Sequence, residues 1–220
     1  MARFALACEG VTDQIVIENI LCGFYKDYDD LDEEIQPLQP PFDATTLKQL
    51  DGEFGGWEML LEYLSLKRFR DDVLNSEYVI IQIDTDISEH PNFGVSQQSL
   101  SAEELIDKVK ERLIAQIDKT EAFYGSYHEK IIFAISVHSL ECWILPLYKD
   151  MKSEKITGCF ETLQRESKSI QVIKEYKNYD ELSRPLLKNK KLLQIATKNS
   201  SLQIFINCLP DLQTDSEYKS

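Results

Sequence analysis

The chain has 220 residues, 43% of them hydrophobic and 28% charged, enough to bury the core of one α/β domain plus a small helical addition. No apolar run approaches the length of a membrane span, and the N-terminal stretch reaches Glu9 too soon for a secretory leader, so a cytoplasmic protein with no membrane partner is expected. The formal net charge of −14 argues against charge-driven binding to nucleic acid, so any phosphate contact needs a local basic patch, a bound cation or a partner subunit.

Residues 3–8 predict a first strand ending at Glu9-Gly10. Thr12 is placed to cap a helix to about Tyr25, with Ile15, Ile17, Ile20, Leu21 and Phe24 at helical spacings. The acidic stretch 27–34 reads as a solvated loop without chemistry. Residues 35–39 form a second strand, and Pro37 puts it at an edge. A polar connection with Gly52, Gly55 and Gly56 leads to a helix marked by Trp57, Leu60, Leu61 and Leu64. The run Leu-Lys-Arg-Phe-Arg (66–70) reads as a helix C-terminus stabilised by cations.

Residues 78–83, short and β-branched, form the third strand. After a loop with Pro91 and Gly94, Ser101 and Glu104 form a capping box. The helix behind it carries Leu105, Ile106, Val109, Leu113 and Ile117. Residues 130–136 are the fourth strand, and from Leu140 to Pro210 the pattern is mainly helical. The five cysteines are odd in number, scattered and without a C-x-x-C pair, which predicts reduced, mostly buried thiols and no zinc or disulfide framework. Cys8 is expected inside the first strand and Trp143 in the packing rather than on a stacking platform.

Strands alternating with long helices predict an α/β fold with an open, mainly parallel four-stranded sheet and a helical C-terminal extension. Ligands of such sheets bind beyond the carboxyl ends of the strands. Three predicted strand ends carry acids there: Glu9 after the first, Asp84 and Asp86 after the third, Glu141 (with His138) after the fourth. Asp13 joins them from the turn that Gly10 opens. Carboxylates converging on one rim repel unless a cation lies between them. Mg²⁺ or Mn²⁺ suits an all-oxygen donor set and would polarise a phosphate and activate water. The basic run Arg184, Lys188, Lys190 and Lys191 is the candidate nucleic-acid contact, with a lysine of that run offering charge to the transition state.

A strand ending in Glu9-Gly10-Val11-Thr12-Asp13, followed by one ending in Asp84-Thr85-Asp86, resembles the TOPRIM domain of topoisomerases, DnaG-type primases and OLD-type nucleases. The stretches 136–148 (SVHSLECWILPLY) and 196–209 (ATKNSSLQIFINCL) are similar to small stand-alone TOPRIM-like bacterial proteins of the RloB type. The resemblance implies a TOPRIM-like (Rossmann-like) domain over 1–150, a helical extension over 151–212 packed on it, and a polar tail over 213–220. It further implies Glu9 as a catalytic or metal-binding carboxylate, Asp84 and Asp86 as Mg²⁺ ligands, and Asp13 as the acid seen in OLD-type relatives. The activity implied is metal-dependent hydrolysis of DNA or RNA in phage defence, beside an ATPase partner.

Ser88 stands where topoisomerase-like members carry a third acid, with Glu89 or Glu141 as substitutes, and the chain has no P-loop of its own. A non-catalytic TOPRIM-like subunit that binds a partner is therefore the alternative, and self-association as a homo-oligomer stays open. A haloacid-dehalogenase-like phosphatase also uses D-x-D, but on its first strand rather than its third.

Overall fold

The computed structural model describes residues 2–41, 56–153, 157–168 and 170–212. Four strands form one open, all-parallel sheet: β1 (Ala2–Ala7), β2 (Ile35–Gln39), β3 (Ser76–Asp84) and β4 (Ile131–Ser136), in the order β2-β1-β3-β4. Helix α1 (Val11–Phe24) follows β1, α2 (Trp57–Ser65) and α3 (Lys67–Leu74) precede β3, and α4 (Ala102–Ile117) and the short α5 (Tyr124–Tyr127) lead to β4. Then come α6 (Glu141–Ile144), α7 (Cys159–Glu166), α8 (Tyr176–Ser183), α9 (Asn189–Ala196) and α10 (Ser200–Asn207). The α/β class, the parallel sheet and the edge position of β2 agree with the sequence expectation.

The two-residue period of the strands divides the interior into two cores. Phe4, Leu6, Cys8, Ile80, Ile132 and Ala134 pack against α1 and the C-terminal helices. Ala5, Ala7, Val79, Ile81, Ile83 and Ile135 pack against α2, α3 and α4. Both faces are thus covered, as an all-parallel sheet requires. The C-terminal helices share the first core: Leu163, Tyr179, Leu182, Leu186, Leu192 and Phe205 are buried with Ile17, Ile20 and Leu21 of α1. Among the described residues no helix is long and apolar enough to cross a membrane.

Several local expectations are corrected. Gly10, not Thr12, is the N-cap of α1, and Thr12 lies inside the helix, because the carbonyl of Gly10 already receives the N–H groups of Asp13 and Gln14. The third strand runs on to Asp84, so only Asp86 of the pair is beyond it. The acidic stretch contains a 3₁₀ turn, Leu31–Glu34, anchored by buried Leu31. The basic run near 67 starts a new helix rather than ending one: Leu66 is extended (φ −80°, ψ 153°), and Lys67 pairs with Asp71 one turn on. The Ser101/Glu104 capping box forms as read. Gly52, Gly55 and the tail 213–220 lie outside the described residues.

The cysteine reading is also corrected. Cys142 and Cys159 are joined by a disulfide, with Cα atoms 5.2 Å apart. Their separation of 17 residues conceals that α6 and α7 pack side by side. Cys8 is a buried free thiol, as expected; Cys22 is half-buried and Cys208 exposed.

The contact between α1 and the extension is closest at Gly23. A Cβ there would stand 2.0 Å from the carbonyl oxygen of Leu186, which is backbone and cannot swing aside. Gly23→Ala is therefore expected to destabilise the fold by about 3 kcal/mol, measured by urea unfolding.

Candidate functional site

β1 feeds β2 on one side and β3 feeds β4 on the other, so the crevice between the carboxyl ends of β1 and β3 is the topological switch point of the sheet. Glu9 stands just past β1, and Asp84 is the last residue of β3. The Asp84 N–H donates to Glu9 Oε1 at 2.7 Å. Gln82, fully buried, bridges the same two residues: Oε1 accepts the Glu9 N–H at 3.4 Å and Nε2 donates to Asp84 Oδ1 at 3.0 Å. The Ser136 hydroxyl donates to that Asp84 oxygen as well. Sequence reasoning passed over Gln82; the signal was a lone polar residue in an apolar run, two positions before Asp84 and so on the same face of the sheet.

Asp13 sits in the first turn of α1, and its Oδ2 lies 3.2 Å from where a Cβ on Gly10 would be. Beyond the strands, the β3 and β4 chains stay paired. Thr85 N–H donates to the Ser136 carbonyl (3.0 Å), Asp86 N–H to the His138 carbonyl (3.0 Å), and His138 N–H to Thr85 Oγ1 (2.8 Å). These bonds hold His138 in the left-handed region, at φ 65°. Glu141 opens α6 and is 5% exposed; one of its oxygens accepts the hydroxyl of buried Tyr179 on α8. Lys174, which the sequence analysis did not single out, places Nζ 3.9 Å from Glu141 Oε1 and 5.4 Å above the Phe160 ring. Asp84, Asp86, His138, Glu141 and Lys174 line a cavity of about 320 Å³, whose far wall is residues 157–161.

The carboxylates disturb one another. Burial first, then the Asp13 charge, pushes the Glu9 carboxyl up to about 8. Burial first, then Glu141, pushes Asp13 up to about 7, against the pull of Lys174. Asp84 is driven well above the ordinary carboxylate range by burial and then Glu9, and Asp86 is raised by its partial burial. Burial and the charge of Glu141 keep the Tyr179 phenol protonated, as its hydrogen bond requires.

Five carboxylates beside the Lys174 ammonium fit a hard divalent cation in donor type. Glu9, Asp13, Asp84, Asp86 and Glu141 are the residues that would hold it. As placed, no three His, Cys, Asp or Glu side chains among the described residues gather closely enough to hold a metal ion. Of the two substitutes for the missing third acid, Glu141 lines the cavity, whereas Glu89 accepts the Gln97 N–H at 3.2 Å. Ser88 is buried and accepts from Gln97 Nε2 at 2.9 Å.

The basic run is elsewhere. Arg184 pairs with Asp180 at 2.7 Å, and Lys188, Lys190 and Lys191 lie at the start of α9. That corner packs on the C-terminal end of α1, where Asn189 Nδ2 donates to the carbonyls of Gly23 and Phe24. Asp13 is at the other end of the helix, about 15 Å away at 1.5 Å per residue. The structure therefore brings Lys174, and not the 184–191 run, to the carboxylates. Trp143 is fully buried, stacked on Phe205 at 5.6 Å, with Nε1 donating to Ser201 Oγ at 2.7 Å: it packs, as expected.

The raised carboxyls give stability a pH dependence. Between the ordinary carboxylate value and about 8 for Glu9 or about 7 for Asp13, the folded chain keeps protons that the unfolded chain has lost. Stability in cation-free buffer therefore falls as pH rises from 5 to 8, by up to about 1.4 kcal/mol per pH unit for each group. Denaturant titrations over that range are expected to show a flatter slope for Glu9→Gln. No protein-family model, no curated protein and no solved structure matches the chain.

Proposed function

We propose that this chain is a divalent-metal-dependent phosphodiesterase of TOPRIM type acting on nucleic acid. The observation that carries the reading is the direct Glu9–Asp84 contact at the β1/β3 switch point, with Asp13, Asp86 and Glu141 around it. Bound Mg²⁺ or Mn²⁺ would supply Lewis acidity and a nucleophilic water. The chain's own part is to hold Glu9, Asp84 and Glu141 in place, through the Asp84 N–H, Gln82, Ser136 and Tyr179, and to set Lys174 opposite them. Lys174 Nζ, at the cavity wall, contacts a phosphate oxygen and offsets the charge that grows there as the bond breaks. The resemblance to RloB-type proteins supports a phage-defence setting with a separate ATPase partner.

A second reading, a partner-binding subunit without catalysis, has one observation in its favour. Glu9, Asp84 and Glu141 each already have an oxygen engaged by a donor of the chain itself.

Metal linkage separates the two. Mn²⁺ at about 100 times its Kd is expected to stabilise the wild type by about 2.7 kcal/mol, and Asp84→Ala/Asp86→Ala not at all. Lys174→Ala is expected to keep the Mn²⁺ shift while losing about 10²–10³-fold in kcat for cleavage of an oligonucleotide. Thermal shift and gel assays read the two effects, and a wild type that Mn²⁺ does not stabilise would leave the partner-binding reading.

A further inference from the structure

We propose that the Cys142–Cys159 disulfide is a redox latch on the carboxylate cavity: it ties the α7 wall to α6 and thereby fixes where Lys174 stands. The consequence for activity rests on the phosphodiesterase reading, whereas the latch itself rests on geometry alone.

Cys142 directly follows Glu141 on α6, and Cys159 begins α7 and lines the cavity. Phe160, next on α7, lies under Lys174 Nζ at 5.4 Å, and Lys174 reaches back to Glu141 at 3.9 Å. The path Glu141, Cys142, Cys159, Phe160, Lys174 therefore closes on itself, and the S–S bond is its one covalent link between elements distant in sequence. Helix α7 has 8 residues, too short to persist on its own propensity. Its other anchors include buried Leu163, the Gln164 Nε2 bond to the Val172 carbonyl at 3.1 Å and the Lys149–Glu166 ion pair at 3.2 Å, which is partly solvated and weak.

The second core contains neither cysteine, whereas Cys142 and Cys159 are buried at the edge of the first, where α6 and α7 meet it. The bridge thus acts on the cavity wall and the part of the first core beneath it, while the second core is independent of it. In a reducing compartment such a bond is transient and sensing rather than structural. Any dithiol supplies the chemistry. Its thiolate attacks Cys159 Sγ, the S–S bond breaks, and Cys142 leaves as a thiolate that takes up a proton. The second thiol of the reductant then displaces Cys159, so two electrons and two protons pass to the protein and the reductant ends as a disulfide.

The test uses the full chain with and without dithiothreitol. Alkylation after denaturation should label three of the five cysteines in the oxidised protein and all five in the reduced one. Amide hydrogen exchange over 159–166 should quicken by about tenfold on reduction, with α1 and β3 still protected. Cys159→Ser should show the same exchange without reductant. Five labelled cysteines under oxidising conditions, or unchanged exchange in 159–166 on reducing the wild type, would overturn the latch. A chain that shows the latch but no Mn²⁺-dependent cleavage keeps this inference and refutes the phosphodiesterase. One that cleaves equally well in both redox states refutes the control of activity.

Discussion

Five carboxylates at one rim of the sheet are the constraint around which the remaining structure is arranged. Like charges that close, half out of water, oppose folding unless something answers them. Here the answer comes in pieces. The Asp84 N–H binds Glu9, Gln82 and Ser136 bind Asp84, Tyr179 binds Glu141, and Lys174 brings an ammonium. The raised carboxyls of Glu9 and Asp13 show that these pieces do not neutralise the cluster. Near neutral pH, protons kept on Glu9 and Asp13 offset what these pieces leave.

The extension after β4 is part of this site. It supplies Glu141, Lys174 and Tyr179, and it fixes α6 through a buried polar network. Asn199, the N-cap of α10, donates to Ser153 Oγ at 2.9 Å and accepts from Ser201 Oγ at 2.8 Å. Ser201 in turn accepts from Trp143 Nε1 at 2.7 Å and from Val137 N–H at 3.2 Å. Ser153 Oγ donates to the Cys142 carbonyl at 2.7 Å. The end of β4, the short helix bearing Glu141 and the last helix are thus one fully satisfied unit, and in a dry interior such networks fix a single arrangement.

Much of the frame was legible in the chain because it depends on local pattern. β-Branched runs gave the strands, Pro37 an edge, and Ser101 with Glu104 a helix start. The acids at the strand ends followed from one topological rule, and Glu9, Asp84 and Asp86 do stand on that rim. The local misreadings also have local causes. Thr12 looked like a cap because capping residues are read by type, whereas Gly10 holds that place through its backbone. The run at 66–70 looked like an end because helix-favouring residues continue through an extended Leu66.

By itself, the sequence determined the α/β alternation and the set of acids that follow the strands, since both depend on side-chain periodicity and on where a strand stops. Only the tertiary structure decided which cation meets those acids. Lys174 was one lysine among many in the chain, while the denser run at 184–191 lies at the far end of α1. Likewise, only the packing of α6 on α7 brought Cys142 to Cys159. Spacing along a chain constrains neighbours within a turn or a strand. Proximity between separate elements is set by how their buried faces dock.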